Sequence, residues 1–157
     1  MAKQKGLKPA QYAAGASRYC GPTSLSAITG NDTADVTRFV RRKWPWRKSV
    51  KGMHNEEAVE YLKHCGFRVE LVYASMKAEG WRSVPRQTKP DTKPMNLRTW
   101  LDEYAARRET YLVNVTGHYI AVHNGLAVCT SKSGRMVPVA ELTRHIGRQM
   151  VMAWRVS

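Results

Sequence analysis

Long apolar runs are missing from this 157-residue chain. The longest span only a few residues, and residues 1–31 carry Lys3, Lys5, Lys8 and Arg18 but none of the roughly 7–15-residue apolar stretch that a leader needs. Neither a signal peptide nor a membrane span is expected. Cysteine is scarce as well: Cys20, Cys65 and Cys129 stand 45 and 64 residues apart. That spacing supplies neither a dense disulfide framework nor paired Cys-x-x-Cys zinc ligands, so a reducing intracellular compartment and no cofactor are expected. There is no internal repeat and no low-complexity segment. Acidic residues are few, 12 against 26 Lys+Arg, which leaves a formal charge of +14 and a pI near 10.1. With 43% hydrophobic residues the chain can still close one core, and it reads as a single domain over residues 1–157.

The charge is unevenly spread. Thr37 to Asn55 holds no acid, while Arg38, Arg41, Arg42, Lys43, Arg47, Lys48 and Lys51 surround Trp44-Pro45-Trp46. Such cations can neutralise phosphates and such indoles can stack on bases, which marks a candidate surface for nucleic acid or another polyanion, including an acidic protein. The alternative is a solvated basic helix end whose tryptophans anchor the next turn in the core. A second basic stretch, Trp81 to Pro94, contains Pro85, Pro90 and Pro94 and reads as a loop.

Residues 1–19 show no period and read as an N-terminal arm. Residues 20–66 read as helices. Gly21-Pro22 opens the first and Gly30 closes it. Asp32 caps a second that ends near Lys43, before Pro45. Asn55 is expected to cap a third, whose stripe Ala58, Tyr61, Leu62 and Cys65 ends at Gly66. Residues 67–95 combine an alternating strand, Phe67 to Tyr73, with the proline-rich loop. In residues 96–157, Asn96 caps a helix with Leu97, Trp100, Leu101, Tyr104 and Ala105 on one face. Strands are expected at 111–116, 118–123, 126–131 and 149–156, with a short helix at Pro138–Ile146. Asn124-Gly125 is a strong hairpin dipeptide. Helices followed by an antiparallel sheet make an α+β domain.

Cys20 precedes the Gly21-Pro22 helix start, where unpaired N–H groups and the positive end of the helix dipole favour a thiolate. Far downstream, Gly117-His118 opens a strand. The stretches Tyr19-Cys20-Gly21-Pro22-Thr23-Ser24-Leu25-Ser26-Ala27-Ile28-Thr29-Gly30 and Gly117-His118-Tyr119-Ile120-Ala121-Val122-His123-Asn124-Gly125 resemble the papain-like cysteine peptidase superfamily, especially small phage and bacterial proteins with a Cys-Gly-Pro-Thr helix start. The resemblance implies a papain-like fold, the nucleophile helix first and the histidine on the later sheet. It also implies a Cys20 nucleophile and a His118 general base in acyl transfer from a peptide or amide to water.

The implied site departs from the family pattern in two places. Relatives commonly hold the imidazole with an Asp or Asn on the neighbouring strand. If Asn124-Gly125 is a two-residue turn, His123 pairs with Leu126, Ile120 faces Cys129 and His118 faces Ser131, with no carboxylate there. Asn124 and Ser131 are the remaining candidates for a third member. Relatives also carry a Gln shortly before the nucleophile as oxyanion donor; here Gln11 lies nine residues before Cys20. His123, five residues from His118, takes the opposite face of the strand and is the alternative partner. His54, His64 and His145 are expected in surface or capping roles. Cys20, His118 and Cys129 could also converge as two thiolates and one imidazole around a metal, or the two cysteines could pair on oxidation; no Cys-x-x-Cys spacing supports a structural zinc.

Two functions follow as expectations. One is a Cys-His peptidase or amidase. The other is a catalytically silent papain-like module, a virion or host-takeover component of a phage, binding nucleic acid or an acidic protein through its basic surface. Either would work in the host cytoplasm or within a virion, without a membrane.

Overall fold

The computed structural model describes residues 6–12, 18–78 and 89–157. Most of the basic proline-rich loop, including Trp81, Arg82, Pro85 and Arg86, lies outside them. The first three helices are α1 (Cys20–Thr29), α2 (Thr33–Lys43) and α3 (Asn55–His64), followed by strand β1 (Val69–Ala74). Helix α4 (Leu97–Tyr104) and strands β2 (Thr110–Val115), β3 (His118–His123), β4 (Leu126–Val128), β5 (Met136–Pro138) and β6 (Met150–Val156) complete the α+β architecture. The strands form one antiparallel sheet in the order β1-β6-β2-β3-β4-β5.

Local chemistry sets most element ends. Gly30 takes the left-handed conformation, φ 80°, and its N–H reaches Ser26 O. Asp32 Oδ1 accepts the Asp35 N–H at 2.9 Å, and Asn96 Oδ1 accepts that of Thr99 at 3.0 Å. The cap of α3 is His54 rather than Asn55: the Glu57 carboxylate reaches back to accept the His54 N–H at 2.8 Å. That leaves the Asn55 amide free to bond across to the sheet. At the β3–β4 turn Asn124 and Gly125 both have positive φ, 49° and 78°, and His123 pairs with Leu126.

Two expected elements differ. The fourth strand stops at Val128, because the chain turns into a 3-10 turn at Thr130–Lys132. The expected Pro138–Ile146 helix is replaced by the edge strand β5 and a 3-10 turn at Val139–Glu141. Pro138 ends that strand on the sheet's outer edge, where its missing N–H costs no ladder bond.

The sheet is buried on both faces. One face carries Leu112, Tyr119, Ala121, Val128, Met152, Trp154 and Val156 against α1, α2 and α3. The other carries Tyr111, Val113, Val115, Ile120, Val122 and Cys129 against α4 and Leu142. Helix α1 is buried from Gly21 to Ile28. Segment 6–12 crosses it: the Lys8 N–H reaches Ala27 O at 3.1 Å, and the Gln11 N–H reaches Ser26 Oγ at 2.8 Å. Among the described residues no helix is long and apolar enough to cross a membrane.

Candidate functional site

Cys20 is the first residue of α1, half-buried against the α1–α3 core. Gly21 allows Met53 to come close: a Cβ there would lie 2.9 Å from Met53 Cβ. Met53 brings its carbonyl and the neighbouring Asn55 to the start of β3, where they meet Tyr119. The Tyr119 hydroxyl lies 2.6 Å from Asn55 Oδ1 and 3.1 Å from Met53 O, and Asn114 Nδ2 donates to Asn55 Oδ1 at 2.8 Å. Burial, then the neighbouring Cys20 and Glu57, push the phenol well above its ordinary pKa. A phenol held protonated cannot take a proton from a thiol at neutral pH.

Strand alternation sends His118 the other way. Val115 pairs with His118 and faces α4, so the imidazole lies on the sheet face opposite Cys20. The structure therefore does not bring the implied Cys20–His118 dyad together. Among the described residues, Cys20 makes no hydrogen bond to a histidine. His123 does share the α1 face, but it ends β3, about 14 Å along the strand from Tyr119. Its Nδ1 is 3.0 Å from Thr110 Oγ1.

The auxiliary candidates are also dispersed. Gln11 is tied by its N–H to Ser26 and by its carbonyl to the Thr33 N–H, about 9 Å down the α1 axis from Cys20. Asn124 sits in the β3–β4 turn, about 17 Å along the strand from His118. Ser131 does lie on the His118 side, with its Oγ 2.9 Å from Cys129 Sγ.

His118 instead stacks on His145, ring centroids 4.0 Å apart. The expected surface or capping role fits His54, and His64 is exposed against Phe39, but His145 is 4% exposed. His145 Nδ1 and Nε2 and His118 Nε2 find no hydrogen-bond partner among the described residues. Each such orphaned group costs about 1–3 kcal/mol. Burial lowers His118 to about 4, with help from His145, Arg148 and Arg144; burial, Arg148 and Arg144 lower His145 too. His118, His145 and Cys129 together offer ligand atoms within 4.8 Å of one another. No motif spacing announced this trio. The sequence joins two of its members, His118 and Cys129, by ladder parity, but the third residue expected with them, Cys20, lies on the opposite sheet face, and nothing in the sequence points to His145.

The basic segment divides in two. Three of its cations are ion-paired: Arg38 with Asp35 at 3.6 Å, Lys43 with Glu60 at 3.0 Å and Arg47 with the buried Glu57 at 2.9 Å. Arg41, Arg42, Lys48 and Lys51 are exposed and have no acidic partner among the described residues. The tryptophans divide likewise. Trp44 packs on Phe39, centroids 6.2 Å apart, whereas Trp46 is 73% exposed. No family model, no curated protein and no solved structure matches this chain.

Proposed function

We propose that this chain is a catalytically silent module of papain-like arrangement that binds single-stranded nucleic acid through its basic segment, the last turn of α2 and the chain that leads from it into α3. The observation that carries the reading is Trp46: a large indole, 73% exposed, in the same short segment as the exposed Arg41, Arg42, Lys48 and Lys51. An indole left exposed forfeits hydrophobic burial, and a flat π-face among unpaired cations suits a base stacked above neutralised phosphates. An acidic protein would meet the cations equally well but would make less use of the indole face. The catalytic alternative lacks support at its base, since the partner that Cys20 meets on β3 is a protonated phenol.

Fluorescence anisotropy with labelled single strands, duplex DNA and polyglutamate across a salt series tests this. Single strands should bind best, with affinity falling as salt rises. Replacing Arg41, Arg42, Lys48 and Lys51 by Gln should flatten the log–log salt slope by about 3, at about 0.7 per released counterion. Preference for polyglutamate, or a slope unmoved by the four substitutions, refutes the reading.

A further inference from the structure

We propose that His118, Cys129 and His145 form a zinc site on the sheet face opposite α1, α2 and α3. Their ligand atoms already lie within 4.8 Å of one another, and all three residues are buried, at 8%, 0% and 4% exposure. A tetrahedral Zn²⁺ with bonds of about 2.0–2.1 Å to nitrogen and about 2.3 Å to sulfur holds such atoms about 3.3–3.6 Å apart. Closing the set from the 4.8 Å limit takes a contraction of about 1.2–1.5 Å and a rotation of the two rings out of their near-parallel stack, so that one lone pair of each turns toward the ion.

The orphaned nitrogens point to the ligand independently of that spacing. Among the described residues eight buried side-chain nitrogens and oxygens lack a hydrogen-bond partner, and three of them, His118 Nε2 and both His145 nitrogens, converge with the Cys129 thiol. A metal supplies the missing partner for one nitrogen of each ring. Two imidazoles and one thiolate are ligands that zinc accepts, and a set of three leaves a fourth position for water. Binding converts the Cys129 thiol to a thiolate and releases its proton to solvent. Ser131 Oγ, 2.9 Å from the sulfur, is placed to donate its O–H to that thiolate.

The three ligands come from separate segments: the start of β3, the residue after β4, and the turn before β6. That turn is already docked on α4 by Leu97 N–H to Arg148 O at 2.9 Å and Arg98 N–H to Ile146 O at 3.0 Å. The site would therefore cross-link the sheet to the α4 layer. Arg144 and Arg148 in the same turn add positive charge near a divalent ion, so the thiolate is needed to offset it.

The test is Co²⁺ titration of untagged, chelator-treated full-length protein, followed by Zn²⁺ competition. One equivalent should bind with a thiolate-to-cobalt charge-transfer band, which zinc then removes. The band should vanish in Cys129→Ser and survive in Cys20→Ser and Cys65→Ser. His145→Gln should weaken binding by more than the ~10–100-fold typical of losing an outer-shell contact. Should a variant fail to fold, wild-type protein still decides: Zn²⁺ should raise its Tm and shield Cys129 from alkylation. No stoichiometric binding, or a band that survives Cys129→Ser and is lost in Cys20→Ser, overturns the proposal. Both outcomes are independent of nucleic-acid binding.

Discussion

Replacing Arg47 tests whether the basic segment holds one kind of cation or two. Arg47 Nε lies 2.9 Å from Glu57 Oε2, and Glu57 is only 3% exposed. The same carboxylate closes the first turn of α3 through the His54 N–H, so the pair ties the α2–α3 connection to the helix it leads into. Removing one partner strands the other charge away from water, a loss of about 3–5 kcal/mol in buried pairs. Arg47 keeps some contact with water, which sets the expected cost of Arg47→Met at the lower end, about 3 kcal/mol. For a domain of this length, at about 2–4 °C per kcal/mol, Tm should fall by about 6–12 °C. Glu57→Gln keeps an oxygen for the His54 N–H but leaves the buried Arg47 Nε without its carboxylate; it should still cost less, because the Arg47 side chain as a whole is 19% exposed against 4% for that of Glu57. The double variant should lose less than the sum, because neither charge is then left alone. Urea denaturation of the four proteins, in a denaturant that does not screen charge, measures all three terms. Nucleic-acid affinity, read well below each Tm, should change little. If Arg47→Met melts with the wild type yet loses affinity, Arg47 is a phosphate contact rather than a strut, and the division of the cations fails.

The two tryptophans should separate in the same assays. Trp46→Ala should leave Tm unchanged and cost about 1–3 kcal/mol of binding, whereas Trp44→Ala should lower Tm through its lost packing on Phe39; the reverse pattern would exchange their roles. Iodoacetamide should label Cys20 at the same rate in wild type and His118→Ala, because the sheet separates the two side chains, and a marked slowing in the variant would restore the dyad. Cys65, whose thiol is pushed up by burial, should label more slowly at neutral pH. Gly125→Ala places a Cβ at φ 78° and should cost about 1–2 kcal/mol in urea denaturation; a neutral result would mean that the β3–β4 turn relaxes.

What was legible in the sequence was local. Asp32, Asn96 and Gly30 each end a helix by a bond within four residues, and Asn124-Gly125 fixes the His123 to Leu126 register by its own conformation. The Asn55 cap was misplaced by one residue because the competing cap depends on Glu57, while Asn55 is claimed by Asn114 and Tyr119 from distant strands. β5 escaped because three residues on an edge are too few for alternation to show. His145 escaped for a different reason: its burial is made by the docking of its turn on α4, through bonds to Leu97 and Arg98 that no local pattern encodes.

The face taken by His118 was illegible for a more general reason. A strand with one wet face declares its phase by alternation, but β3 is buried on both sides, and Tyr119, Ile120, Ala121 and Val122 would pass as core in either phase. Two features outside the hydrophobic pattern decide it. The Thr116-Gly117 turn, with Gly117 at φ 72°, makes Val115 the partner of His118, so both take the same face. On the other face, Ala121 is the small residue under α1, and the Tyr119 hydroxyl finds Asn55 and Met53 O waiting. A slip of one residue would press Ile120 and Val122 toward α1 and bury the phenol among apolar side chains without those acceptors, losing packing and a hydrogen bond together. The phase that satisfies Tyr119 is therefore the phase that gives Cys20 a phenol for a neighbour and delivers His118 to His145 and Cys129. The same one-residue choice withdraws the base from one sulfur and supplies imidazoles to another.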